Sequence, residues 1–195
     1  MEKYINVNPE SKIHMCDASF LNSSHERPPT CLSGCRHKGT ALQIFIYCHL
    51  HLTNCSTPAA MTNGMIINNM SFKVGQTLTV VGVAEEDATR FAVNIGHSEQ
   101  YLTLHINPRF SYGGDANVVV CNSNQGGSWG QECRERSFPF RKGNQFKIIT
   151  IFTATGFLVI LSDGSMIRFP NRLGSQKYSF FSFTGDARIK SLEIM

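Results

Sequence analysis

From residue 77 onward, short runs of alternating apolar and polar residues are separated by residues that favour turns. "RFAVNIG" (90 to 96) sets Phe91, Val93 and Ile95 on one face, and "FLVIL" (157 to 161) does the same with Phe157, Val159 and Leu161. A period of two marks a half-buried β-strand, because successive side chains point to opposite faces of a sheet. Between Leu161 and Met166 lies "SDGS", whose Asp163-Gly164 pair suits the positive φ angles of a tight hairpin. No stretch of this half carries a capped 3.6-residue stripe. The pattern predicts an all-β antiparallel sandwich.

One strand raises a sharper question. "YLTLHIN" (101 to 107) alternates strictly, with Leu102, Leu104 and Ile106 on one side and Thr103, His105 and Asn107 on the other. If the period survives Pro108, Arg109 joins His105 and Asn107 in an outward row of groups with different donor and acceptor characters. Such a row suits a polar partner.

The rest of the candidate chemistry lies in the window from 103 to 134. "VVVCNS" (118 to 123) is a β-rich run that reaches Asn122, and a glycine-rich turn, "NQGGSWGQECRER" (124 to 136), presents Trp129, the only tryptophan. Flanked by Gly, Ser and Gln, that indole is expected to be exposed. If the chain beyond it is extended, Glu132 and Arg134 share one face and Cys133 points to the other. The window therefore offers one flat aromatic surface beside His105, Asn107, Arg109, Asn122, Glu132 and Arg134. A sugar matches this set: one face of galactose is a patch of C–H groups that can lie on an indole, and each hydroxyl both donates and accepts. Charged partners strengthen such hydrogen bonds to about 1.5–3 kcal/mol each. A carboxylate held between two guanidinium groups is also fixed in orientation. The same side chains would serve equally to solvate one face of a sheet, and residue chemistry alone leaves both readings open.

Composition changes the picture in one respect. Residues 1 to 60 hold five of the seven cysteines (16, 31, 35, 48, 55) and five of the seven histidines (14, 25, 37, 49, 51), but only two of the sixteen glycines. The boundary falls near "STPAAMTNG". "CLSGC" (31 to 35) with His37, and "HLH" (49 to 51), carry the residue types zinc prefers, but the spacing fits no standard zinc pattern. The segment reads instead as unstructured or non-native chain. Its apolar run "ALQIFIYCHLHL" (41 to 52) is too short to cross a bilayer and too deep in the chain for a secretory leader. Sequons at Asn22, Asn54 and Asn69 matter only in a secretory pathway. The net charge is +4 and no Lys/Arg run exceeds two residues, which argues against nucleic acid as a partner.

The order His105-x-Asn107-x-Arg109, then Asn122, then Trp129, then Glu132-x-Arg134 resembles the carbohydrate-recognition motif of the galectins at all seven positions. "FPNRLG" (169 to 174) is also similar to a stretch that family carries. The resemblance covers residues 61 to 195. It implies a concanavalin-like jelly-roll sandwich of two antiparallel sheets, binding β-galactosides on glycoproteins or glycolipids with no metal or other cofactor. By the same resemblance, His105, Asn107 and Arg109 would read the axial 4-hydroxyl of galactose, and Asn122 and Glu132 would hold its 6-hydroxyl. Trp129 would stack beneath the ring, and Arg109, Glu132 and Arg134 would reach the neighbouring sugar. Ile106 stands where the family usually has an aromatic residue, and "SYGGDAN" (111 to 117) is expected to form a lengthened loop before Asn122.

The resemblance implies more about the whole protein. Met61 stands where single-domain members begin, so residues 1 to 60 are expected to be an alternative or mistaken upstream extension, and 61 to 195 the carbohydrate-recognition domain. Cytosolic synthesis with unconventional export to the extracellular space is implied, which suits Cys121 and Cys133 as reduced thiols. Homodimers formed through terminal edge strands are implied too, unless the extension blocks that edge. No membrane insertion is expected. An enzyme is disfavoured, since a glycosidase needs two carboxylates facing one bond and Glu132 and Glu135 fall on opposite sides of a strand. The alternative is a domain of the same fold that serves structure or protein partners without binding sugar.

Overall fold

The computed structural model describes residues 64–195 throughout and, before them, only the backbone of residues 3–6, 12–14 and 43–45. The strands in chain order are β1 (Lys3–Asn6), β2 (Lys12–His14), β3 (Gln43–Phe45), β4 (Met65–Lys73), β5 (Thr77–Ala84), β6 (Phe91–Ser98), β7 (Tyr101–Tyr112) and β8 (Asp115–Gln125). They continue with β9 (Ser128–Trp129), β10 (Cys133–Glu135), β11 (Gln145–Phe152), β12 (Gly156–Ile160), β13 (Met166–Pro170), β14 (Lys177–Gly185) and β15 (Ala187–Ile194). The described residues include no helix. Cys31, Cys35, His37, His49 and His51, whose spacing fits no zinc pattern, and the sequons at Asn22 and Asn54 lie outside the described residues.

Two sheets face each other. The first runs β1-β4-β14-β6-β7-β8-β10, with β9 also on β8; the second runs β13-β12-β11-β5-β15-β2-β3. Every pairing from β4 onward is antiparallel. The two parallel ladders involve the early strands: β1 lies along β4, and β3 along β2, which itself pairs antiparallel with β15. The expected two-sheet jelly-roll sandwich is therefore what residues 64–195 form.

The core between the sheets collects the inward half of each alternating run. Phe91, Val93 and Ile95 of β6 meet Phe157, Val159 and Leu161 of the opposite sheet's hairpin in one buried cluster. Aromatic rings dominate it: Phe91 stacks on Phe146 with centroids 4.5 Å apart, and Phe152 on Phe157 at 4.6 Å. Rings at such separations gain pairing energy beyond their buried area.

Three local expectations need correction. Leu102 is buried, yet not with Leu104 and Ile106: the register shifts between Leu102 and His105, and Leu102 packs with Ile66 and Phe180 in a separate small cluster. A bulge reverses the parity of everything before it, which strict alternation in the sequence conceals. "SYGGDAN" is not a loop but the tip of a long hairpin, in which Tyr112 pairs with Asp115 around Gly113 (φ 61°) and Gly114 (φ 84°). Two successive positive φ values match the right-handed twist of the flanking strands, and glycine adopts them without steric cost. In "SDGS" Gly164 alone of the pair takes a positive φ, while Asp163 accepts hydrogen bonds from Ser165 and Ser137.

Candidate functional site

The outer face of the first sheet carries the polar halves of β6, β7, β8 and β10. Register sets Asn94 opposite His105, and His105 opposite Asn122. Asn107 faces Val120, and Val120 in turn faces Arg134. Within "VVVCNS" the alternation thus sends Val119 and Cys121 to the core and leaves Val120 and Asn122 on the outer face, where Val120 is wholly covered. It lies between Asn107 and Arg134 in the register.

The strand does keep its period through Pro108, and Asn107 explains how. Pro108 has no N–H to give to the neighbouring strand, and Phe91, opposite it in the register, would lack a donor. The Asn107 side chain supplies one, donating from Nδ2 to the Phe91 carbonyl at 2.6 Å, while its Oδ1 accepts from Arg109 Nε at 2.8 Å. Asn107 is only 2% exposed, so it is the floor of the site.

His105 is oriented from behind. Asn94 donates from Nδ2 to Ser182 Oγ at 3.0 Å, which leaves its Oδ1 facing His105 Nδ1 at 2.6 Å. An oxygen there calls for the proton on Nδ1, so Nε2 is the free acceptor. Burial, reinforced by the charges of Arg109 and Arg90 and opposed by Glu132, pushes the His105 pKa down to about 4. The ring is therefore neutral near pH 7. Trp129 stands 4.8 Å away, centroid to centroid, with half of its surface (53%) exposed. It is raised by a tight turn in which Gly126 and Gly127 take φ of 62° and 89° between the paired residues Gln125 and Ser128.

Beyond the indole, four charged side chains hold one another. Arg109 Nη1 donates to Asp115 Oδ2 at 2.6 Å, and Arg134 Nη1 to Asp115 Oδ1 at 2.7 Å. Glu132 lies between the same two guanidinium groups, 2.7 Å from Arg134 Nη2 and 3.5 Å from Arg109 Nη2. The hydrogen bonds from Arg134 and Arg109 hold the Asp115 carboxyl below its usual pKa, and Asp115 and Glu132 push the Arg134 guanidinium above its own. Two positive and two negative charges cancel, so the surface offers directed hydrogen bonds to a neutral partner rather than a net field. Cys133 points inward against the core, as its position between Glu132 and Arg134 predicts.

All seven residues picked out from the sequence thus meet on one face. Sequence reasoning missed their supports. Asp115 was hidden in an expected loop, though a Gly-Gly pair bounded by alternating residues is a hairpin signal. Asn94 sits inside a run read only for its apolar face. Arg172, in "FPNRLG", reaches back to Asn122 from the segment between β13 and β14, and no local pattern announces so distant a contact.

A sandwich of antiparallel sheets with an exposed indole beside a self-neutralising set of polar groups defines a carbohydrate-binding type of site. The comparisons make this specific: residues 64–194 match the family model for the galactoside-binding lectin. The chain belongs to that family, the galectins. It is 52% identical over 132 residues to a beta-galactoside-binding lectin of Electrophorus electricus, covering 68% of this chain and 98% of the relative. To galectin-1 of Ovis aries it is 41% identical over 130 residues, covering 67% and 96%. Among solved structures, Dario rerio galectin-1-L2 superposes with a TM-score of 0.66 at 54% identity, over 67% of this chain and 98% of that one. Congerin II with lactose and MES bound gives 0.64 at 39%, over 67% and 98%.

Proposed function

We propose that the outer face of the first sheet binds the terminal galactose of β-galactoside glycans, with Trp129 under the ring and His105, Asn107 and Arg109 around the axial 4-hydroxyl. The observation that carries this reading is the fixed polarity at that point. His105 Nε2 accepts a hydrogen, and Asn107 Nδ2, which uses one N–H on Phe91, retains another to give. A hydroxyl satisfies both partners at once, whereas an inverted or missing one leaves buried polar groups unpaired, which is how such sites discriminate. On this reading Asn122 and Glu132 hold the 6-hydroxyl, and Arg109, Glu132 and Arg134 reach the next sugar.

Titrating the protein with lactose while following its single tryptophan, with sucrose as control, tests the reading. A saturable change with lactose alone supports it. A folded protein that responds to neither sugar overturns it in favour of a non-binding scaffold for protein partners.

The site is read as binding without catalysis. Both carboxylates within it are tied to guanidinium groups, and Glu135 accepts from the Ser137 backbone instead of facing Glu132. Hydrolysis of lactose on prolonged incubation would contradict this. The carbohydrate-recognition unit is proposed to be residues 61–195, started at Met61, made in the cytosol and exported without a classical leader. Support comes from the span of the family match, 64–194. Abundant peptides from residues 1 to 60 in the native protein would count against that start. No helix among the described residues is long and apolar enough to cross a membrane. We further propose that the shorter form pairs into a homodimer through β4 and β15, the edges on which β1 and β2 lie in the full chain. Sedimentation of the two forms compares them, and a monomeric short form would refute the pairing.

A further inference from the structure

Arg172 makes no hydrogen bond to a carboxylate among the described residues; its guanidinium is spent on neutral oxygens around the indole. Nη1 lies 3.3 Å from Asn122 Oδ1 and 3.2 Å from Ser123 Oγ, and Nη2 donates to the Gln131 carbonyl at 2.8 Å. The Phe169 ring supports the planar group from below, 4.6 Å from centroid to Cζ. The segment that carries it is pinned by Asn171, whose Oδ1 accepts from Thr103 Oγ1, Tyr178 Oη and the Gly174 N–H. Space for the guanidinium is bought by Gly130, where an added Cβ would come 2.7 Å from Nη1.

Arg172 adds to the contacts that together decide which way the Asn122 amide faces. Its Oδ1 accepts from the Ser123 N–H at 2.8 Å and from Arg172, which fills both lone pairs. Its Nδ2 gives one N–H to the Gly130 carbonyl at 2.9 Å and keeps the other. Toward a ligand, Asn122 is therefore a donor only. Glu132, ionised, is an acceptor only.

We infer that Arg172 is a positioning residue for the 6-position of the bound galactose: by locking Asn122 as a donor opposite the Glu132 acceptor, it makes that subsite demand a group that both accepts and donates. A hydroxyl meets the demand. A 6-deoxy sugar offers neither function, and a 6-fluoro sugar accepts without donating. The same guanidinium also holds the Gln131 carbonyl, two residues beyond Trp129, alongside Asn122 Oδ1 and Ser123 Oγ.

This inference rests on the galactoside reading, and the test separates the two. In the full chain, wild type, Arg172→Met and Arg172→Lys are titrated with lactose, 6′-deoxylactose, 6′-deoxy-6′-fluorolactose and 4′-deoxylactose. Wild type is expected to prefer lactose over both 6′-modified sugars by about tenfold or more, the loss typical of hydrogen bonds to charged and fixed partners. Arg172→Met is expected to shrink that preference to about twofold while the preference over 4′-deoxylactose is retained. Arg172→Lys, a point charge that cannot span three oxygens, falls between, and decides the matter by the same ratio if the Met variant does not fold. Unchanged 6′ preference in both variants, or a uniform loss for every sugar, overturns the inference. So does a wild type that takes the fluoro sugar as well as lactose. A wild type that binds none of them refutes the galactoside reading itself.

Discussion

His105 shows how much a single side chain depends on its surroundings. With the Nδ1 proton committed to Asn94, the ring can serve a sugar hydroxyl as proposed only while Nε2 is unprotonated. Its pKa in the folded protein is pushed down to about 4 from the ordinary 6.5, so the neutral form is complete well above 5 and lost as the pH falls through the lower value. Lactose affinity is therefore expected to be flat through mild acid and to drop only near that value, as measured by tryptophan titration across pH. A midpoint near 6.5 would show an imidazole not sheltered as described. The unfolded chain takes up the proton near 6.5 and the native one near 4, so stability also falls between these values as acid is added. None of this was legible in "HINPRF": the motif names the ring, but the Asn94 and Ser182 that set its tautomer come from two other strands.

At the scale of the element, patterning located the strands and missed their irregularities. Phe91, Val93 and Ile95 went to the core as their spacing predicts, because a central strand with one face buried fixes its own register. Leu102 did not follow Leu104, because a bulge depends on the partner strand as much as on its own residues. A second irregularity lies in β4, where the register against β14 shifts between Tyr178 and Phe180 and Asn69 takes φ of 66°. Asparagine tolerates that conformation; a β-branched residue does not. Asn69→Gly is expected to leave the thermal midpoint unchanged or slightly raised. Asn69→Val should lower stability by about 1–2 kcal/mol in a denaturant titration. Equal stability for the two variants would mean that the backbone there is not held in the left-handed region.

For the molecule as a whole, the division of labour between the sheets matters most. The second sheet covers the core and carries none of the seven residues proposed to bind sugar, while the first sheet and its turns present them all on its outer face. The seven-residue spacing made this legible, since three strands and a turn must lie side by side to bring those residues together. The clamp by Arg172 was not, because it joins residues 49 and 50 positions apart. One further feature follows from the pairing of β8 with β10, which sets Cys133 opposite Cys121. Cys121 is wholly buried, which pushes its thiol far up from its ordinary pKa, while Cys133 is half-buried on a strand of only three residues. The two thiols are thus a pair of clocks running on different openings. A soluble alkylating reagent should modify Cys133 at the rate at which β10 lifts from the sheet edge, and Cys121 only at the far slower rate of unfolding. If lactose is held by Glu132 and Arg134 as proposed, both openings lose it, so saturating sugar should slow the two clocks by the same factor. Slowing of Cys121 alone would mean that β10 lifts with the sugar still in place, and that the rim does not hold it.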